Sequence, residues 1–299
     1  MTAVDGPLPL DAPALPPTCT FEGRAFEVRT VSQPPENTYD PTAFREVFER
    51  NFTYLAGFTR NTHRYADRPA LSDPATGRSW TYAELGADVD RLASGLAAHG
   101  VGPGDLVVHQ LLNSPEFALL YLATQRLGAI GSPVNFRLAP GETAHVLSSG
   151  QPAAYLFDAT IAGEAAQALS LATHTPALVV QVEAPGARPP EPVPGAVPFA
   201  EVHAAGEGQP PVPVPETGLY GETTRLYTSG TTGLPKGVPL NNATEVLSAH
   251  DVIMHFPLSP EDRTLNMSPW FHRGGLYAGG PNPVFYVGAE SVPLRHFDA

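Results

Sequence analysis

Residues 225–240 read RLYTSGTTGLPKGVPL, a segment made of the residue types that hold anions. Glycines at 230, 233 and 237 can take backbone conformations with positive φ, because no Cβ clashes there. Successive amides can then turn inward and form a concave nest. Thr228, Ser229, Thr231 and Thr232 add hydroxyl donors, and Lys236 adds a point charge. A polyphosphate suits such a set, since each charge-assisted hydrogen bond contributes roughly 1.5–3 kcal/mol. About five or six such bonds would outweigh the repulsion of an acidic chain. Composition alone fits a flexible polar loop without a ligand equally well. The mononucleotide pattern G-x-x-x-x-G-K-[ST] is absent. Pro235 stands where its second glycine would follow Gly230, and Lys236 precedes Gly237 instead of a magnesium-binding hydroxyl. An ordinary GTPase or kinase is thereby disfavoured.

The loop needs elements to hold it. TRLYTS before it and GVPL after it read as strands, and a helix is expected from about residue 242 to 256. Upstream, Thr81 and Glu84 form a capping box, T-x-x-E. Leu85, Val89, Leu92 and Leu96 follow at helical spacing, predicting one apolar stripe that ends before Gly100. DLVVHQLL reads as a buried strand. NSPEFALLYLATQRLG predicts a helix capped by Asn113 or Ser114, with Pro115 in its first turn and Gly128 as its stop. AIGSPV, AAYLF and ALVVQV read as further strands, separated by a helix over 140–149 closed by Gly150 and another over 160–172. This alternation predicts an α/β fold, with parallel sheets flanked by helices.

Proline marks the boundaries. Residues 1–45, with eight prolines, read as a Pro-rich extension containing one short strand, RAFEVRTV. Residues 46–183 read as a first α/β subdomain. Residues 184–215 hold ten prolines and read as a surface excursion that neither ladders into a sheet nor continues a helix. Residues 216–299 read as the start of a second subdomain carrying the loop.

Seventeen basic against thirty acidic residues leave a net charge of −13. A chain this acidic, without a Lys/Arg cluster, is a poor nucleic-acid binder and lacks the basic amphipathic face of a membrane-surface protein. Its most apolar run, 117–134, is interrupted by Gln125 and Arg126, so no integral membrane segment is expected. Cys19 is the only cysteine, which rules out an intrachain disulfide and a four-cysteine zinc site. His250 and His255 do not share a helix face, and no metal-ligand set is expected. MTAVDGPLPLDAPALPP lacks the features of a secretory signal, so a cytoplasmic location is expected.

Residues 227–238, Y-T-S-G-T-T-G-L-P-K-G-V, resemble without a break the phosphate-binding signature of the adenylate-forming superfamily of AMP-dependent synthetases and ligases. WTYAELGADVDRLASGLAAHGVGPGDLV resembles that family's first helix and strand, and the segment containing Asn135 and Arg137 resembles the N-x-R of acyl-CoA synthetases. SPWFHRGGLYAGG is similar to the P-x-F-H-x-x-G element at the acid pocket of the acyl-CoA synthetase branch. The resemblance runs from about Phe52 onward. It implies the N-terminal part of the adenylate-forming large domain and a two-step ligase. A carboxylate attacks the α-phosphate of ATP to give an acyl-adenylate, and a thiol, usually that of coenzyme A, then displaces AMP. The loop would orient the leaving pyrophosphate and stabilise its charge, with Mg²⁺ sharing that charge.

Carried over residue by residue, the resemblance implies that Thr228, Ser229, Gly230, Thr231, Thr232, Gly233 and Lys236 line the phosphate site. It places His272 near the acid and adenylate as the catalytic candidate, where residue type alone would make it a hydrogen-bonded core histidine. GLYGETT, residues 218–224, is similar to the family's Y-G-x-T-E element but precedes the loop, so Glu222 reads as a surface residue. Trp270 and Phe271 read as packing residues. VPLRHFDA, where the sequence ends, corresponds to a point inside the family's large domain. The family's acidic magnesium element, ribose aspartate, hinge and C-terminal lysine find no counterpart. The expectation is therefore the N-terminal portion of an AMP-forming carboxylic acid–CoA ligase for a fatty or medium-chain acid, inactive without its C-terminal part. The chain would be a truncated product or the half of a split enzyme completed by a second chain. The alternative is a non-catalytic nucleotide-binding or partner module.

Overall fold

Leu106, Val107 and Val108 are consecutive and all buried, yet they serve two different cores. Neighbouring strand side chains point to opposite faces, so a strand that is apolar throughout must be covered on both sides. The computed structural model, which describes residues 18–21, 24–27, 40–184, 193–229 and 233–295, shows that cover.

The chain divides into two compact units, 1–44 and 45–299. In the first, β1 (Thr18–Phe21) pairs antiparallel with β2 (Arg24–Glu27). The strand expected in RAFEVRTV is β2 over its first four residues, and the remainder lies outside the described residues. Helix α1 (Pro41–Asn51) leads into the second unit. There follow α2 (Tyr54–Arg64), β3 (Pro69–Ser72), β4 (Ser79–Thr81), α3 (Tyr82–Ala98), β5 (Leu106–Gln110) and α4 (Pro115–Leu127). Next come β6 (Ile130–Pro133), α5 (Pro140–Gly150), β7 (Ala154–Asp158), α6 (Ala162–Leu171), β8 (Leu178–Val182), β9 (Val197–Pro198) and α7 (Phe199–Ala205). The described chain closes with β10 (Glu222–Ser229), β11 (Pro235–Asn241), α8 (Asn242–His255), β12 (Arg263–Asn266), α9 (Arg273–Tyr277), α10 (Pro281–Val287) and β13 (Glu290–Pro293).

A seven-stranded sheet runs β11-β10-β6-β5-β7-β8-β9, parallel except for the β10–β11 hairpin. Along β5 and β7, Val107, Ala154 and Leu156 join one core with α3 and α4. Val108, Tyr155 and Phe157 join another with α5 and α6. A four-stranded sheet, β12-β13-β3-β4, is parallel except between β3 and β4. Each sheet thus combines strands from early and late in the sequence. The fold is α/β, with mostly parallel sheets flanked by helices.

The local signals act where they were expected, with three differences. Helix α3 starts on the Thr81/Glu84 capping box, and α4 starts on Ser114 and stops at Gly128 in the left-handed region, φ 76°. Helix α5, however, includes Gly150, and Gln151 takes the left-handed turn at φ 48°. Gly150 is small for another reason: a Cβ there would lie 2.8 Å from the Tyr227 hydroxyl. The stretch 184–215 is not an extended excursion throughout, because β9 pairs with β8 at the sheet edge and α7 buries Val202 in the core. Pro198 permits this by lying on an edge strand and capping α7, where its missing N–H breaks no ladder or helix bond. Glu222 is no free surface residue either; it is half-buried and bidentate to Arg225 at 2.7 and 2.8 Å.

Candidate functional site

The glycine- and hydroxyl-rich segment connects β10 to β11. Thr228 stands opposite Lys236 across the hairpin and Ser229 opposite Pro235. Thr228 and Lys236 are exposed, and Lys236 forms no ion pair with another described residue. Gly233 takes the left-handed conformation, φ 84°, that only glycine adopts without strain. Gly230, Thr231 and Thr232, and the side chain of Ser229, lie outside the described residues. Gly237 differs from expectation, since it has no positive φ. It makes room instead: a Cβ there would sit 3.0 Å from Arg225 Cδ and 3.4 Å from the Tyr227 ring.

Register and packing aim this hairpin. β10 lies parallel to β6, with Thr224 beside Gly131, and Ser132 Oγ donates to the Arg225 carbonyl at 2.8 Å. The loop leaving β10 therefore opens at the carboxyl end of the parallel strands, where open α/β sheets bind their ligands. Tyr227 is fixed beneath it against α5, and burial raises its phenol pKa.

His272 caps the N-terminus of α9, its Nδ1 accepting from the Gly274 amide at 3.1 Å. It is exposed, so the core-histidine reading does not describe it. Two loops at the same end of the sheet hold the segment before it. Asn113, after β5, accepts from the Trp270 amide at 2.9 Å and donates to the Ser268 carbonyl. Phe136, after β6, meets Phe271 edge-on at 5.5 Å. Asn135 Oδ1 accepts from the Arg137 amide and shapes that loop. Trp270 is buried against Phe117. Packing thus brings the neighbour of His272 to the loop beside the hairpin's strand, although no hydrogen bond joins His272 to the hairpin among the described residues.

A buried carboxylate that no sequence motif marks lies between these two arms. Glu245, in the first turn of α8, has 0% exposure. Its Oε1 accepts from Thr224 Oγ1 at 2.6 Å and the Tyr277 hydroxyl at 2.8 Å. Its Oε2 accepts from the Tyr121 hydroxyl at 2.7 Å and Asn282 Nδ2 at 2.8 Å. Burial raises its pKa, opposed by the hydroxyls of Thr224, Tyr121, Tyr277 and Thr223. An acidic residue in a first helical turn has an ordinary reason to be there, so nothing local marked it. Its partners come from α4, β10, α9 and α10.

Among the described residues, no three His, Cys, Asp or Glu side chains are grouped to hold a metal. The described residues offer no carboxylate cage for Mg²⁺. Nor is any helix among them long and apolar enough to cross a membrane.

The model of the AMP-binding enzyme family matches residues 58–299. A sulfoacetate–CoA ligase of Cupriavidus necator is 30% identical over 250 residues, covering 84% of this chain and 46% of that protein. A long-chain-fatty-acid–CoA ligase of Thermus thermophilus is 35% identical over 216 residues, covering 71% of this chain and 37% of that protein. The crystal structure of ATP-bound MatB from Rhodopseudomonas palustris superposes with a TM-score of 0.66 at 26% identity, covering 82% of this chain and 46% of that one. The chain spans less than half the length of these relatives. A family match over residues 58–299 and relatives of 30% identity or more over most of this chain agree: the chain belongs to the AMP-binding enzyme family, whose members related to it include CoA ligases.

Proposed function

We propose that this chain is the nucleotide-gripping portion of an ATP-dependent, AMP-forming carboxylic acid–CoA ligase. The observation that carries the reading is the hairpin itself. Thr228 and Lys236 face each other on an exposed rung beside left-handed Gly233, at the ligand end of the sheet. In this reading Thr228, Ser229, Gly230, Thr231, Thr232, Gly233 and Lys236 enclose the β- and γ-phosphates of ATP. They hold the pyrophosphate in line as the carboxylate displaces it, and backbone amides and Lys236 offset the charge it gains. Mg²⁺ belongs with the triphosphate it neutralises, and coenzyme A is the second-step cosubstrate. His272, on its helix N-terminus, faces the acid and adenylate.

The acid follows from the sequence expectation, a fatty or medium-chain one. The Thermus relative supports that choice, while the Cupriavidus relative points to a small sulfonated acid. The chain spans less than half of these relatives, so the complete two-step reaction is proposed for the ligase as a whole and nucleotide binding for these residues. The alternative is a non-catalytic nucleotide-binding module of the same family.

The experiment is titration of Mg·ATP into the chain by calorimetry, with Lys236→Ala beside it. Wild type binds, and the variant binds several-fold to about a hundredfold more weakly, the scale of one charged hydrogen bond. Equal affinities would remove the lysine from the site, and no binding by wild type would overturn the reading. Carboxylate-dependent exchange of pyrophosphate into ATP, run over a panel of acids with and without a complementing C-terminal portion, separates ligase from binding module.

A further inference from the structure

Glu245 is costly where it stands. Among the described residues Glu245 forms no ion pair; a carboxylate buried in this way loses its hydration, and an apolar side chain of similar size is often as stable or more so. Here the loss is offset by Thr224, Tyr277, Tyr121 and Asn282, each donating to one of its oxygens at 2.6–2.8 Å. Thr223 adds a longer bond at 3.3 Å. Hydrogen-bonded networks of this kind fix geometry in a way apolar contacts do not, because each bond has a direction.

The elements that meet at Glu245 are the ones that carry the two candidate arms. Thr224 belongs to β10, four residues before Thr228 and in the strand that feeds the hairpin. Tyr277 ends α9, the helix that His272 caps. Both hydroxyls converge on the same oxygen, Oε1. The other oxygen is anchored by Tyr121 on α4 and Asn282 on α10, and Asn282 also donates to the Tyr121 hydroxyl at 3.1 Å. One oxygen therefore ties the arms together while the other fastens the carboxylate to the body of the unit. We propose that Glu245 is the positioning residue that sets the spacing between the phosphate hairpin and the His272 helix, acting through Thr224 and Tyr277. The proposal rests on the ligase reading for its purpose, but the mechanical coupling it asserts can be tested separately.

Each arm is cut on one side and read on the other. Tyr277→Phe removes the tie to α9 without touching the hairpin, and Thr224→Val removes the tie to β10 without touching α9. With Mg·ATP as the probe, Tyr277→Phe weakens binding about fivefold, the equivalent of one neutral hydrogen bond. In the ligand-free chain, Thr224→Val shifts the ring NMR signal of His272, assigned by its loss in His272→Ala. Leu92→Ala, a core truncation in α3, lowers the melting temperature at least as much and leaves ATP affinity and the His272 signal where they were. This control separates positioning from general loosening. Unchanged ATP affinity in Tyr277→Phe together with an unmoved His272 signal in Thr224→Val overturns the proposal. So does a Leu92→Ala control that reproduces both effects. If wild type binds no ATP while the His272 signal still responds to Thr224→Val, the ligase reading fails and the coupling stands. Glu245→Gln retains most of the ties, because the hydroxyls can reorient to accept from its amide, and it binds ATP more tightly than Glu245→Leu. Equal binding by those two variants also overturns the proposal.

Discussion

His109 makes the acid stability of this protein calculable. It lies in β5 with 1% exposure, edge-on to Phe117 at 4.7 Å, and its Nδ1 has no hydrogen-bond partner among the described residues. Burial lowers its pKa from 6.5 to about 3. The unfolded chain takes up a proton near pH 6.5, whereas the native ring resists it until about pH 3. Between those values the unfolded state binds more protons, so stability falls as pH falls. Each pH unit below 6.5 costs about 1.4 kcal/mol, which gives about 2 kcal/mol between pH 7 and pH 5. His109→Leu removes the titration while keeping an apolar strand position. Urea unfolding of both proteins at the two pH values isolates the effect. Carboxylates with lowered pKa values, such as Asp88 and Glu290, and Glu245 with its raised one, titrate in both proteins and cancel. Wild type loses about 2 kcal/mol more than the variant. Equal losses would refute the argument that burial alone holds this imidazole neutral.

Other consequences follow from close packing. Gly150→Ala places a methyl 2.8 Å from the Tyr227 hydroxyl and 3.0 Å from Leu106 Cδ2. It destabilises by about 1–3 kcal/mol, less about 1 kcal/mol of helix propensity regained. Thermal unfolding measures it, and Tyr227→Phe in the same chain recovers part of the loss. Arg295→Leu strands Asp158, whose side chain is 1% exposed and bonded to Arg295 at 2.6 Å. About 3 kcal/mol is lost, read as a lower urea midpoint; an unchanged midpoint would show that Thr160 alone satisfies that carboxylate.

Legibility divided along the range of the interactions. Helix α3 was readable because its capping box and its stripe of leucines act within a few residues of one another, and α4 because Ser114, Pro115 and Gly128 act locally. The hairpin's residue types are equally visible in the sequence, and the phosphate role proposed for them comes from the resemblance. The second sheet was not readable, since β3 and β13 are short and find each other only through tertiary packing. Nor was α7, where proline density suggested a breaker although Pro198 sits at a position that tolerates it. Glu245 was invisible for the same reason as the second sheet: Tyr121, Tyr277 and Asn282 are distant in sequence, and no motif links them.

Ser72 on β3 and Glu290 on β13 are hydrogen-bonded although they lie 218 positions apart. At about 5–20 residues per second of synthesis, β3 leaves the ribosome roughly 10–45 seconds before its neighbour exists. For that time one edge of the β3–β4 hairpin faces solvent unpaired, available to any other extended chain. An unpaired strand edge is a template for aggregation, so slower elongation between β3 and β13 is expected to lower the soluble yield.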